Sequence, residues 1–218
     1  MKRREFITFL GGAAVAWPLA ARAQSIKIAR IGFFRAAGPH EKQFQAFRAG
    51  MQALGYVEGQ NLIIEQRYAA GVYERLSEYA AELAHLNLDV IVVDGAAAAK
   101  AAKTATADIP VVFALAADPV ADGLIASMAR PGANLTGLTL TVGYQLAGKR
   151  VELLKELVPA LARVAVLGNS DNPTTQPFLR EAERAGVLLG LAVRGFDARH
   201  INDLGAPSLP WPIGGQMA

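Results

Sequence analysis

The sequence predicts an α/β fold: an open parallel sheet lobe covered by helices, followed by a second α/β lobe that is incomplete. Three observations predict it. Short apolar runs alternate with longer amphipathic stretches four times between Ile28 and Ala129. The apolar runs are nearly continuous in Val and Ile, as in Asp89-Val-Ile-Val-Val-Asp94, which suits parallel strands covered on both faces. The alternation then restarts after an extended, threonine-bearing connector at Leu135–Thr141, which points to a second lobe joined through a hinge.

The elements follow in order. Ile28–Phe34 reads as a buried strand, and Glu41–Leu54 as a helix with Phe44, Phe47, Met51 and Leu54 on one face and Gly55 as its C-cap. Leu62–Tyr68 is a second strand. Tyr73–Leu86 is a second helix, with Leu76, Tyr79, Ala80 and Leu83 turned inward. The strand Asp89–Asp94 leads into an alanine-rich helix at Ala96–Thr106, and Ile109–Ala114 is a fourth strand. Asp118 and Pro119 are suited to the N-cap and first positions of a helix running to about Ala129. Pro131–Asn134 is a turn. The second lobe contributes a helix at Leu146–Val158, a strand at Val164–Gly168, a helix at Pro173–Ala185 and a strand at Leu188–Val193. Gly205–Gly215 holds three prolines and three glycines in eleven residues, so residues 201–218 are expected to form an irregular tail.

The N-terminus predicts export. Lys2, Arg3 and Arg4 precede an apolar stretch from Phe6 to Trp17, Pro18 breaks it, and Ala21-Arg22-Ala23 is a small-x-small cleavage site. The paired arginines followed by Glu5, Phe6 and Ile7 resemble a twin-arginine signal, so residues 1–23 are expected to be removed. The stretch is shorter than the roughly 20 residues a spanning helix needs. These 23 residues carry four Lys/Arg against one Glu, the same +3 that the whole chain carries, so residues 24–218 are neutral. The basic character therefore belongs to the signal, and no basic surface points to nucleic acid. No second apolar run is long enough to span a membrane. The chain contains no cysteine, which excludes disulfides, thiolate metal sites and cysteine nucleophiles.

Enzymatic motifs are absent or broken. Gly132–Thr139 mimics a phosphate-binding loop, but Leu138 stands where the lysine must be. No nucleophile elbow occurs. His40, His85 and His200 are dispersed without metal-ligand spacing. No cofactor is expected.

Several phrases point one way. They are Tyr56-Val-Glu-Gly-Gln-Asn61, Asp89-Val-Ile-Val92, Ile109-Pro-Val-Val-Phe113, Asp118-Pro-Val120 and Arg130-Pro-Gly-Ala-Asn-Leu-Thr-Gly137. Gly148-Lys-Arg150, Glu152-Leu-Leu-Lys-Glu156 and Val164-Ala-Val-Leu-Gly-Asn169 complete the set. In this order they resemble the periplasmic substrate-binding proteins of ABC transporters, in the family that includes tryptophan- and tyrosine-binding members. The resemblance runs from about Ile28 to about Ala192. It implies two α/β lobes that close on a small solute, here lobe 1 at 24–140 and a partial lobe 2 at 141–200. It implies a periplasmic receptor, without enzymatic activity, that passes its solute, an amino acid or similar carboxylate, to a membrane permease. A complete member continues beyond this chain, which is therefore expected to be C-terminally truncated. Two alternatives stand beside this reading: an exported α/β enzyme such as a hydrolase or reductase, and a non-functional receptor fragment.

The candidate site lies at the strand ends of lobe 1. Gly95, Ala96 and Ala97 open a helix directly after a strand, where free backbone N–H groups can hold a carboxylate. Asp118 can pair with an ammonium group or cap its helix. Asp94 can serve as an internal acceptor. One of Phe33 and Phe34, beside Arg35, can stack on the solute, since successive strand residues face opposite sides. Thr139 and Thr141 at the hinge, and Asn169 at the end of the first lobe 2 strand, can reach the solute across the cleft.

Overall fold

The computed structural model describes residues 28–139, 143–199 and 201–205. The predicted signal segment, Thr141 and the end of the tail from residue 206 lie outside the described residues. Two parallel sheets organise the rest. The first has five strands: β1 (Ala29–Arg35), β2 (Leu62–Tyr68), β3 (Val90–Asp94), β4 (Val111–Ala116) and β5 (Leu135–Thr139). Their order is β2-β1-β3-β4-β5, with every neighbouring pair parallel. The second pairs β6 (Arg163–Gly168) with β7 (Ala192–Asp197), also parallel.

The helices α1 (Glu41–Ala53), α2 (Leu76–Ala84) and α3 (Ala96–Ala105) cover the first sheet. Strand alternation divides its side chains between two cores. Ile31, Phe33, Leu62 and Ile64 pack with Phe44 of α1 on one face. Phe34, Ile91, Val93, Val111 and Phe113 pack with Leu83 of α2 and the alanines of α3 on the other. Small side chains at Ala98, Ala99 and Ala102, all fully buried, let α3 lie close to the sheet. The helices α4 (Leu146–Leu157) and α5 (Thr175–Leu188) pack around β6 and β7 through a smaller core of Ala147, Val151, Val164, Ala182, Ala185 and Leu191. This second unit leaves Leu153, Leu157, Leu167, Val187 and Leu188 exposed.

Several sequence expectations are corrected. The helix expected from Asp118 to about Ala129 is a set of turns. Asp118 Oδ1 accepts the Ala121 N–H at 3.0 Å, so it caps a single turn. Gly123 then adopts a positive φ of 68°, and the Leu124 and Ile125 N–H groups both donate back to the Pro119 carbonyl. Burial of both Leu124 and Ile125 in the main core replaces helical periodicity. The second-unit helix runs to Leu188, beyond Ala185, with Pro177 in its first turn, where no intrahelical N–H is needed. Gly190 ends it: its φ of +65° lets the Leu191 N–H reach the Gly186 carbonyl at 2.8 Å, so the last strand begins at Ala192 and not at Leu188. Leu54, expected on the buried face of α1, is 75% exposed, because the same type of cap at Gly55 turns the chain away. Ile201–Gly205 is a 3₁₀ turn within the expected irregular tail.

Two glycines test this packing. A Cβ at Gly137 in β5 would overlap the Phe113 carbonyl oxygen and approach the Phe113 ring to 2.6 Å, and backbone cannot yield cheaply. Gly137→Ala is expected to destabilise by about 1–3 kcal/mol in urea titration. Gly50 in α1 has open space around it, so Gly50→Ala is expected to stabilise by about 0.5–1 kcal/mol.

Candidate functional site

Parallel strands end on one edge, and the first sheet brings Arg35, Asp94 and Ala116 together there as the last residues of β1, β3 and β4. Arg35 and Asp94 are register partners. Arg35 Nε lies 2.7 Å from Asp94 Oδ2, with side chains 8% and 19% exposed. The contact is an ion pair whose angle falls outside hydrogen-bond geometry, since Nε has no hydrogen-bond acceptor among the described residues. It pins two strand ends whose next residues, Ala36 and Gly95, both face a cavity.

That cavity has a volume of about 270 Å³. One side is built by Ala36, Tyr73, the Gly95–Ala97 opening of α3 and the Leu115–Ala117 end of β4. The other side is Asn172, Thr174 and Phe178, from the β6–α5 connection and α5. Gly95 is the N-cap of α3 and donates its own N–H to the Leu115 carbonyl at 3.1 Å. The N–H groups of Ala96, Ala97 and Ala98 have no carbonyl inside the helix to reach, so the helix dipole and its donors are available to an anion at this mouth. Asn172 Oδ1 accepts from both the Thr174 N–H (3.0 Å) and its hydroxyl (2.8 Å), which shapes the opposite wall. Burial, and then the Asp171 charge, push the Tyr73 phenol above its ordinary pKa and keep it a neutral donor.

The predicted residues separate into two groups. Gly95, Ala96 and Ala97 line the cavity. Phe33 and Phe34 do not: Phe33 stacks edge-on against Phe44 at 5.1 Å in the α1 core, and Phe34 is fully buried in the other core. Helices cover both faces of the sheet at β1, so neither side of β1 is left for a solute. Asn169 lines an adjoining cavity of about 500 Å³ between α4, β6 and α5, where its side chain accepts the Asp171 N–H at 2.8 Å. Thr139 donates its hydroxyl to the Ala116 carbonyl at 2.7 Å, which ties β5 to the end of β4. Asp94 serves the internal role, paired with Arg35.

Asp118 is absent from the cavity wall and belongs to a neighbouring cluster that sequence reasoning missed. Tyr144, nearly buried, donates its hydroxyl to Asp122 Oδ1 at 2.5 Å. Asp122 Oδ2 is buried without a hydrogen-bond partner among the described residues. Burial raises the Asp122 pKa; the Tyr144 hydrogen bond opposes this, and the Asp118 charge reinforces it. Burial, followed by the bond to Asp122, pushes the Tyr144 phenol far above its ordinary range. The one-turn spacing of Asp118 and Asp122 was a visible signal. Tyr73, Tyr144, Asn172 and Phe178 carried none, because their meeting depends on tertiary packing.

Two variants test these electrostatics. Asp94→Ala leaves Arg35 buried without its partner and is expected to cost about 3 kcal/mol in denaturant unfolding. Asp122 holds its proton more tightly in the folded chain than in the unfolded one. Its favourable contribution is therefore complete below the ordinary carboxyl range and is lost as pH rises through the raised value. Asp122→Asn keeps the acceptor for Tyr144 and removes the buried charge. It is expected to melt higher than the parent at neutral pH, with the difference vanishing near about pH 3.

Among the described residues, no helix is long and apolar enough to cross a membrane. Comparisons with known proteins agree with the architecture. The family described as ABC transporter substrate binding protein matches residues 36–207. A tyrosine-binding protein of Clostridioides difficile strain R20291 is 30% identical over 130 residues, covering 60% of this chain and 37% of that protein. The crystal structure of a conserved domain protein from Vibrio cholerae O1 biovar El Tor strain N16961 is similar with a TM-score of 0.70 at 26% identity, covering 82% of this chain and 60% of that one. The ABC domain from Streptococcus pneumoniae, solved in complex with L-Trp, is similar with a TM-score of 0.61 at 28% identity, covering 79% of this chain and 58% of that one. The chain thus spans between 37% and 60% of the length of these relatives. With its parallel α/β sheets and a cavity at the strand ends, matched over residues 36–207, this chain belongs to the ABC transporter substrate-binding protein family.

Proposed function

We propose that this chain acts as the solute-binding component of an ABC importer, capturing a small molecule in the periplasm and presenting it to a membrane permease. Residues 1–23 serve as a cleavable export signal of the twin-arginine type, and the units at 24–140 and 141–200 act as lobes that close on the solute. The observation that carries this reading is the cavity whose walls come from both α/β units, with the α3 N-terminus on one side and Phe178 on the other.

The walls indicate the solute class. Helix N-terminal N–H groups attract a carboxylate. Leu115, Ala116 and Phe178 offer apolar surface, and Tyr73, Asn172 and Thr174 offer polar groups. A volume of about 270 Å³ lies near the lower end of the roughly 300–1,000 Å³ usual for small-molecule sites, so the solute is of amino-acid size. The tyrosine-binding relative and the neighbour holding L-Trp support an amino acid with a large apolar side chain.

Calorimetric titration of the purified chain with L-tyrosine, L-tryptophan and L-leucine tests the proposal, with binding of at least one expected. Ala97→Asp places a carboxylate at the α3 N-terminus, where it favours the helix by about 0.3–1 kcal/mol while repelling an anionic solute. The variant is expected to melt at or above the parent temperature and to bind at least about tenfold more weakly. Unchanged affinity would remove the carboxylate from this mouth. Absence of binding by the parent with every probe would overturn the receptor reading.

A further inference from the structure

We infer that Tyr144 is a positioning residue that stabilises the arrangement in which Phe178, the aromatic wall of the cavity, stands opposite the first sheet, by anchoring it to Asp122. The inference deepens the solute-binding reading and rests on it for its meaning, though not for its geometry.

Three contacts form the chain of support. Phe178 is half-buried, with part of its ring forming cavity wall. It meets the Tyr144 ring in a T-shaped contact, with centroids 4.9 Å apart and planes at 88°. This is the geometry that ring quadrupoles favour. The Tyr144 hydroxyl is in turn held by Asp122 Oδ1, in the connection between β4 and β5. Tyr144 belongs by sequence to the entry into α4, Phe178 to α5 and Asp122 to the first sheet's connection. The relay therefore crosses from one α/β unit to the other.

The local structure makes this anchor stiff. Tyr144 is 6% exposed, so the ring has little room to change rotamer. If its hydroxyl moved away, Asp122 Oδ1 would lose this bond while Oδ2 is already buried without a hydrogen-bond partner among the described residues, a disfavoured state for a half-buried carboxyl group. Gly143 brings the chain past this cluster: a Cβ there would come within 2.7 Å of Asp118 Oδ2, and its φ is +114°. Only glycine passes so close beside the carboxylates without strain.

The functional consequence is a bias toward the arrangement in which both walls meet the solute. The α3 N-terminus, which belongs to the first unit, holds one end of the solute, and Phe178 meets the other. The Asp122–Tyr144–Phe178 relay favours this relation of the two walls over a more open one, which lowers the cost of closing on the solute. Tyr144 then affects affinity without touching the solute.

The test reads ring position and affinity separately. The full chain carries 4-fluorophenylalanine at position 178, and its ¹⁹F spectrum is recorded without solute. One sharp resonance is expected for the parent background. Tyr144→Phe and Asp122→Ala are expected to shift and broaden it, while Asp122→Asn, which keeps an acceptor for the hydroxyl, restores the parent spectrum. Circular dichroism confirms that each variant is folded. An unchanged resonance in both Tyr144→Phe and Asp122→Ala would overturn the relay, as would an Asp122→Asn spectrum that matches the alanine variant. With L-tryptophan or L-tyrosine as probe, Tyr144→Phe and Asp122→Ala in the unlabelled chain are expected to bind about five- to tenfold more weakly, and Asp122→Asn within about twofold of the parent. If the parent binds neither probe, the receptor reading fails while the ¹⁹F result still decides the relay.

Discussion

Parallel strands end on one edge of a sheet, and the Arg35–Asp94 ion pair settles where that edge lies in this protein. The two side chains close a register pair between β1 and β3. Directly beyond them the chain leaves the sheet at Ala36 and Gly95, both on the cavity wall. A charged pair this well buried adds little to net stability, because its desolvation opposes its attraction, while losing either partner is costly. The placement of α3 depends on it. The helix starts at Ala96, two residues after Asp94, and its N-terminal N–H groups point wherever that strand end is held.

The two units are built differently. In the first, helices cover both faces of the sheet at β1, while Leu138 of β5 stays exposed, and the large side chains Phe34, Phe113, Ile91 and Leu124 are almost completely buried. Interior packing of this density holds the strand ends rigidly. The second unit has two strands, two helices and a core mainly of alanine and valine, with several large apolar side chains at its surface. Its contribution to the cavity comes from a loop and the start of a helix, shaped by hydrogen bonds within Asn172–Thr175. A rigid first wall and a second wall held by a few specific contacts suit a site assembled between two bodies. The Asp122–Tyr144 bond has weight here because it ties the aromatic partner of Phe178 to the connection between β4 and β5.

The strand and helix order was legible because its signals are local. Asp89–Asp94 reads as a strand from its β-branched run, Glu41–Leu54 as a helix from its apolar spacing, and Gly55 as a cap from glycine alone. The misread segments were those where tertiary burial overrode local pattern. Leu124 and Ile125 look like helix interior but are adjacent core residues in a turn. Phe33 and Phe34 look like candidates for a ligand wall because aromatic residues end a strand, yet the helices on both sides of β1 consume both rings.

By itself the sequence determined the alternating α/β order, the parallel character of the strands, the absence of thiol chemistry, and the small-residue opening at Gly95–Ala97. Each follows from residue type and spacing within a few positions of chain. Only the tertiary structure decided that Asp94 is committed to Arg35, that Asp118 lies off the cavity wall, and that Tyr73, Asn172 and Phe178 share the site with α3. These are meetings of residues far apart in sequence. Their partners are selected by sheet order, crossover geometry and burial, none of which a local window of sequence contains.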